Sequence, residues 1–172
     1  MQVFDVGEHV LNGHKFFVGK GFGYKRIDDE VHQDKGIPCY LIHNFKVKIA
    51  ETVFIGNGTN IDIGRDRDTE IRDYTVVDSL VHVGHSAIIG KKCIIVSGTV
   101  IGGHAEIGDG SHIGMNCSIK QGVKIGKGCF IGAHTFVTHD IPDHTLYYDF
   151  QIKPIAKPIS ESNEYVQRSV SH

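Results

Sequence analysis

One repeat dominates the sequence: an aliphatic residue returns at every sixth position from Ile71 to Val137, without insertion or deletion. A small or β-branched residue stands four positions after each of them. A period of six fits neither an α-helix nor a coiled coil. It matches a hexapeptide-repeat parallel β-helix, in which each hexad forms one short strand and one turn. The twelve positions predicted to face the core are Ile71, Val77, Val83, Ile89, Ile95, Ile101, Ile107, Ile113, Ile119, Ile125, Ile131 and Val137.

The small residues of the repeat define a second inward position, and three of the four cysteines occupy it. Cys93, Cys117 and Cys129 stand where neighbouring hexads carry Ala, Ser or Thr. The chain has no CxxC pair, which is the usual spacing of redox and zinc cysteines. A free cysteine packs as a small hydrophobe, so we predict that these three thiols are core packing groups.

The repeat also predicts how the turns stack. Three hexads make one turn, so residues 18 apart should lie above one another at the strand spacing of about 4.8 Å. The hexads begin at Val47, but four extra residues enter between Ile61 and Ile71, around GRDRD at 64–68. An inward Arg67 would be a stranded buried charge. We therefore predict that this segment, called the bulge below, projects outward.

Domain limits and composition narrow the possible functions. We predict an all-β β-helix domain at 1–148 with an external excursion loop at 21–45, and an extended tail at 149–172, where two prolines disfavour a helix. The net charge of −2 comes without a Lys/Arg-rich stripe, which argues against nucleic acid or a membrane as partner. The sequence has no signal-peptide pattern and no spanning apolar run, so a cytoplasmic location is expected.

A β-helix of this kind has no internal cavity, so its functional groups must lie on the outer surface. The stacking interval of 18 residues singles out His85 there. The residue 18 positions later is Gly103, so no side chain covers the imidazole. Imidazole takes up a proton near neutral pH, and an exposed glycine N–H stabilises an oxyanion. A reaction site is therefore predicted here. The two columns at this place read His85, Gly103, Gln121, His139 and Ser86, His104, Gly122, Asp140.

Residues 59–90 resemble the catalytic segment of the UDP-3-O-acylglucosamine N-acyltransferases of lipid A biosynthesis. The similarity runs without a gap from about Val47 to Gly90 and continues more weakly to about Tyr148. The family motif T-x-I-D-x-G corresponds to Thr59, Ile61, Asp62 and Gly64. The motif I-D-N-x-x-x-I-A-H-N corresponds to Val77, Asp78, Ser79, Val83, Gly84, His85 and Ser86. The resemblance implies a left-handed β-helix and a homotrimer with active sites between subunits.

The resemblance also implies roles for individual residues. His85 matches the general base that deprotonates the sugar amine, and Gly103 matches the glycine whose N–H forms the oxyanion hole. Asp78 matches an acidic position close to the acceptor sugar. On the acceptor side we further place Ser86, His104 and Tyr24, the last of which belongs to a GFGY segment that resembles the opening of the family's excursion.

Three departures from the family pattern change the expected substrate. Fewer than fifty residues precede the helix, so we expect no N-terminal uridine-binding domain, and no C-terminal helices for an acyl carrier protein. A second family histidine aligns with Gly122. The stretch QIKPIAKPI, residues 151–159, resembles the ending of CoA-dependent hexapeptide acetyltransferases, although Gln151 replaces a glycine. We therefore place four residues on the acyl-donor side: Gln121, Gly122, Lys153 and Lys157.

The favoured prediction is an N-acyltransferase with acyl-CoA or acyl carrier protein as co-substrate, a small nucleotide-linked amino sugar as acceptor, and no metal. One alternative is O-acetylation of a sugar hydroxyl. Another is a zinc enzyme like the γ-carbonic anhydrases, which share the fold. That reading requires a partner histidine near His85, and Gly90 stands in its place. The third alternative is a non-catalytic solenoid.

Overall fold

The computed structural model describes residues 1–11, 13–19 and 45–148. Regular structure in this part consists of strands, with no helix able to cross a membrane among the described residues. Most of the predicted excursion at 21–45 and all of the predicted tail at 149–172 lie outside the described residues. The strands are β1 Gln2–Phe4, β2 Gly7–Leu11, β3 His14–Gly19, β4 Val47–Ile49, β5 Phe54–Ile55, β6 Thr59–Asp62, β7 Thr69–Ile71, β8 Val76–Val77, β9 His82–Val83, β10 Ile88–Ile89, β11 Ile94–Ile95, β12 Val100–Ile101, β13 Glu106–Ile107, β14 His112–Ile113, β15 Ser118–Ile119, β16 Lys124–Ile125, β17 Phe130–Ile131, β18 Phe136–Val137 and β19 Leu146–Tyr147.

From β3 to β18 every third strand joins the same sheet, which makes a parallel β-solenoid with three faces. Sheet 1 has the order β1-β4-β7-β10-β13-β16, sheet 2 has β5-β8-β11-β14-β17-β19, and sheet 3 has β2-β3-β6-β9-β12-β15-β18. In the regular part the Cα partners are 18 residues apart, as where Ile89 pairs with Ile107 and Ile107 with Ile125. The predicted three-hexad turn is confirmed.

The two inward positions of each hexad form the core. All twelve predicted aliphatic residues are at most 3% exposed. The second, small position is buried as well, and its hydroxyls hydrogen-bond upward: Thr75 Oγ1 donates to the carbonyl of Gly90 at 2.6 Å, and Thr99 Oγ1 to that of Gly114 at 2.9 Å. Cys93, Cys117 and Cys129 are buried in this position. Their predicted role as packing groups is confirmed.

The bulge leaves the solenoid at a corner, between β6 and β7, so it does not disturb the strands on either side. Its side chains face outward, as predicted: Arg67 pairs with Glu106 at 2.8 Å, and Asp68 pairs with Lys48. The four additional residues therefore lengthen one turn, and the register of the following hexads continues.

The N-terminal strands close one end of the core. β3 adds in parallel to β6, so the residues around Phe16 continue sheet 3 below the first hexads. The sequence did not indicate that β1 pairs antiparallel with β4, nor that β2 and β3 form an antiparallel hairpin. Phe16 is 2% exposed, and its ring lies edge-on to Phe4 at 5.4 Å. These aromatic rings cover aliphatic residues that the end of the solenoid would otherwise expose to water.

Candidate functional site

His85 stands at the turn after β9 and is 7% exposed. A Cβ added to Gly103 would lie 2.5 Å from its Nε2 and 2.6 Å from its Cε1. The main chain keeps the two turns stacked, because the N–H of His104 donates to the carbonyl of His85 at 2.8 Å. The predicted stacking of Gly103 on His85 is confirmed. The imidazole occupies the space that a side chain at position 103 would need.

The N–H of Gly103, like that of Met115 at the same position of its hexad, has no hydrogen-bond acceptor among the described residues. At the same turn position, the N–H groups of Lys91 and Lys127 donate to the aspartates 109 and 143, at 2.8 and 2.7 Å. Within the described part of the chain, Gly103 has no such acceptor. A Cβ added to Gly84 would come within 2.6 Å of this nitrogen, so glycine at position 84 leaves space beside the N–H. That donor can therefore meet a developing negative charge.

A polar cluster lies on the same face, in a shallow open groove on sheet 3 that also exposes His85 and Gly103. Asn60 and His82 are cross-strand partners of β6 and β9, with Asn60 Nδ2 3.2 Å from His82 Nδ1. Asp62 is buried, 3.5 Å from His82 Nε2, and its Oδ1 accepts from Asn60 Nδ2 at 3.3 Å. Sequence reasoning did not assign these three residues to the site. It offered a signal: with the four residues of the bulge, the stacking interval becomes 22, which links Asn60 to His82.

Two predicted acceptor-side residues support the His85 turn instead of lining the groove. The Ser86 hydroxyl is buried, where it accepts from the N–H of Arg65 at 2.9 Å. The ring of His104 lies edge-on to that of His85, with centroids 4.9 Å apart, and its Nδ1 is 3.6 Å from Asp66. Neither Ser86 nor His104 is among the described residues that line the groove.

Asp78 lies at the corner before β9, whereas His85 lies at the corner after it. Its carboxylate accepts hydrogen bonds from the Ser97 hydroxyl and from the N–H of Ser79. The hydroxyl of Ser97, followed by this N–H, lowers the pKa of Asp78 below its usual range. Asp78 is absent from the described lining of the His85 groove.

The predicted donor-side residues are divided. Gln121 lines the groove one turn above Gly103, and Gly122 is exposed beside it, with open space where a side chain would be. Tyr24, Lys153 and Lys157 lie outside the described residues. In the part of the chain that the structure covers, no three His, Cys, Asp or Glu side chains form a metal-binding group.

Comparison with known proteins shows which repeat this is. Residues 68–103 and 104–139 each match the sequence model of the family described as "Bacterial transferase hexapeptide (six repeats)". The UDP-3-O-acylglucosamine N-acyltransferase of Rickettsia bellii is 40% identical over 95 residues, which is 55% of this chain and 25% of that protein. The enzyme of the same name from Campylobacter curvus is 37% identical over 83 residues, 48% of this chain and 24% of that protein. The chain thus matches about a quarter of the length of these curated relatives.

A solved structure has the same architecture. LpxA from Acinetobacter baumannii superposes with a TM-score of 0.65 at 21% identity, covering 79% of this chain and 49% of that one. At this identity the likeness concerns the fold. The chain therefore carries the hexapeptide repeat of bacterial transferases, with a distant and partial similarity to the hexapeptide-repeat β-helix acyltransferases.

Proposed function

We propose that this hexapeptide-repeat chain is an acyltransferase that moves an acyl group from a thioester to the amine of a nucleotide-linked amino sugar. The observation that carries the proposal is the pair formed by His85 and Gly103 in the groove on sheet 3. It places a proton acceptor under a main-chain N–H that has no acceptor among the described residues. The relatives from Rickettsia bellii and Campylobacter curvus are N-acyltransferases, a class of enzyme that fits this reaction.

The two residues act on opposite partners of the reaction. The amine nitrogen attacks the thioester carbonyl, and His85 takes the amine proton as the C–N bond forms. The carbonyl oxygen becomes an oxyanion, to which the Gly103 N–H donates. The tetrahedral intermediate then collapses, the C–S bond breaks, and the thiolate takes the proton back from His85. The products are the amide and a free thiol, and the thioester is supplied by CoA or an acyl carrier protein.

The polar cluster at Asn60, Asp62 and His82 is the part of the groove suited to the acceptor. The attacking nitrogen is that of the neutral amine, and the carboxylate of Asp62 can accept a hydrogen bond from its N–H in the groove that also contains His85. Gln121 lies at the other end of the groove, one turn above Gly103, on the side proposed for the acyl donor. The two ends therefore separate acceptor and donor across the His85–Gly103 pair.

The same proposal includes a left-handed winding and a homotrimer. On the outer surface of sheet 2, five of the six side chains in one row are aliphatic or phenylalanine. The corresponding row of sheet 1 contains two lysines and two glutamates. An apolar row along a face suits contact with further copies. Asp78 and His85 lie at opposite corners of the face that contains β9. An acceptor bound between two subunits can therefore contact His85 of one subunit and Asp78 of the other. The sheet 2 row is Phe54, Val76, Ile94, His112, Phe130 and Leu146.

The test is release of free thiol from acetyl-CoA in the presence of UDP- and dTDP-linked amino sugars. We expect His85→Ala to lower turnover by at least about a hundredfold, since a general base contributes roughly 10²–10⁴. His85→Gln, which keeps a side chain of similar size, should lose the same activity. His134→Asn, at an exposed left-handed turn position, is the matched control and should keep it. Undiminished turnover in both His85 variants would remove the assignment.

A further inference from the structure

The bulge makes contacts that a surface loop does not need. The three donor nitrogens of Arg67 reach three different groups: Nε donates to the carbonyl of Ser86 at 2.9 Å, Nη2 to that of His104 at 3.4 Å, and Nη1 to the Glu106 carboxylate at 2.8 Å. Ser86 directly follows His85, and His104 directly follows Gly103. One guanidinium thus joins the two stacked turns that carry the candidate base and oxyanion donor.

The side chain of Asp66 and the N–H of Arg65 hold the same two turns. The carboxylate of Asp66 lies 3.6 Å from Nδ1 of His104, whose ring is edge-on to that of His85. The N–H of Arg65 donates to the buried hydroxyl of Ser86 at 2.9 Å. No bulge residue is among the described residues lining the groove. These contacts therefore reach the His85 turn from the side that faces away from the groove.

The turn conformation by itself does not require this support. Ser86 and His104 have left-handed backbones, with φ of 59° and 61°. The same conformation occurs at Tyr74 and Leu80, whose side chains are 64% and 70% exposed. A left-handed turn in this solenoid is therefore stable without an arginine across it, and the contacts of Arg67 need another reason.

We propose that Arg67 is a positioning residue for the imidazole pair: it fixes the turn of His104 against that of His85 and so sets the orientation of the His85 ring under Gly103. The planar fork of arginine suits this task, because it holds several acceptors in a fixed geometry that the single ammonium group of lysine does not reproduce. The catalytic consequence rests on the function proposed above, whereas the positioning itself does not.

The chain offers a matched control. Arg72 forms an ion pair with Glu70 at 3.1 Å, and the two side chains are 42% and 27% exposed, against 37% and 35% for Arg67 and Glu106. Both donating nitrogens of Arg72 reach the same carboxylate oxygen. Replacing Arg72 therefore removes a comparable ion pair without touching the His85 turn.

The test reads the imidazole rings directly, by long-range ¹H–¹⁵N NMR at pH 8, where an ordinary imidazole is neutral. The His85 and His104 signals are assigned with His85→Gln and His104→Gln. In Arg67→Met we expect both signals to move toward those of the exposed His134. In Arg67→Lys we expect them to remain away from their wild-type positions, because lysine does not reproduce the fork. Arg72→Met should leave them in place. Unmoved signals in folded Arg67→Met, or equal movement in Arg72→Met, would overturn the proposal.

Two additions keep the outcome decisive. If Arg67→Met does not fold, Arg67→Lys, which keeps the charge but not the planar fork, takes its place, and unmoved His85 and His104 signals there also overturn the proposal. In the acyl-transfer assay, Arg67→Met should lower kcat at least about tenfold with KM nearly unchanged, because small displacements of a reacting group are costly. If wild-type protein transfers no acyl group, the proposed function fails while the NMR result still decides the positioning.

Discussion

At the scale of single residues, Gly103 is the position where an added side chain would meet the candidate base directly. An alanine Cβ there would lie 2.5 Å from Nε2 of His85, a separation at which the buried ring has to move. We expect Gly103→Ala to displace the imidazole and to lower acyl transfer by about a hundredfold, as for a misplaced reacting group. Thiol release and the His85 NMR signal measure both effects.

Gly110→Ala is the control for that change. Gly110 has φ of +71°, and an added Cβ meets no atom within 4 Å. Alanine there costs about 1–2 kcal/mol for the left-handed backbone but does not touch the base. Equal loss of activity in the two variants would mean that the stacking of Gly103 on His85 has no special part in the reaction.

Asp78 gives a prediction for pH. The hydrogen bonds from Ser97 and Ser79 lower the pKa of this carboxyl in the folded protein, so its charged form stabilises the fold. That contribution is present above the unfolded pKa of about 4 and disappears as the pH falls through the lower folded pKa. Asp78→Asn should therefore be less stable than wild type at pH 7, with a difference that shrinks below about pH 4. Urea unfolding at several pH values measures it, and a difference independent of pH would contradict this account.

Some contacts of the candidate site could be predicted from the sequence repeat and others could not. The stacking of Gly103 on His85 followed from the interval of 18, which holds wherever the hexads are unbroken. The cluster of Asn60, Asp62 and His82 was missed because the bulge changes that interval to 22. The support from Arg67 depends on the path of the bulge, which no periodicity describes.

At the scale of the strands, each two-residue element is held by the coils above and below it. Ile101 is fully buried between the coils of β9 and β15. Ile101→Ala should lower the free energy of unfolding by about 2–5 kcal/mol, the usual cost of a core cavity. Ser118→Ala, on the exposed row of the same sheet, should change it by less than about 0.5 kcal/mol. Denaturant unfolding compares the two, and equal effects would contradict the inward assignment of the ladder.

The N-terminal strands mark the limit of prediction at this scale. The parallel coils repeat, so twelve aliphatic residues at constant spacing were enough to predict them. The antiparallel pairs β1–β4 and β2–β3 occur once each, and no second copy in the sequence reveals their register. Their role as a cover for the core follows from contacts such as that of Phe4 with Phe16. These contacts join segments that do not share the hexapeptide pattern.

At the scale of the whole molecule, the outward row of sheet 2 decides the proposed assembly. Ile94 is 44% exposed in the middle of that row. We expect Ile94→Glu to convert a trimer to single chains, because a buried unpaired charge opposes packing. Lys124→Glu, on the charged row of sheet 1, is the control and should leave the assembly intact. Sedimentation velocity measures both, and a wild-type protein that sediments as a single chain would refute the trimer.

The three-hexad turn has a further consequence for how such a chain can change in length. An insertion of 18 residues adds one complete storey and returns every later side chain to its own face. An insertion of six residues keeps the core intact but moves all later outward residues to the next face. His85 and its neighbours would then no longer lie above the residues that now stand below them. The bulge escapes both outcomes, since its additional residues leave and rejoin the solenoid at one corner. Corners are thus the places where this architecture can gain new side chains without rotating the old ones.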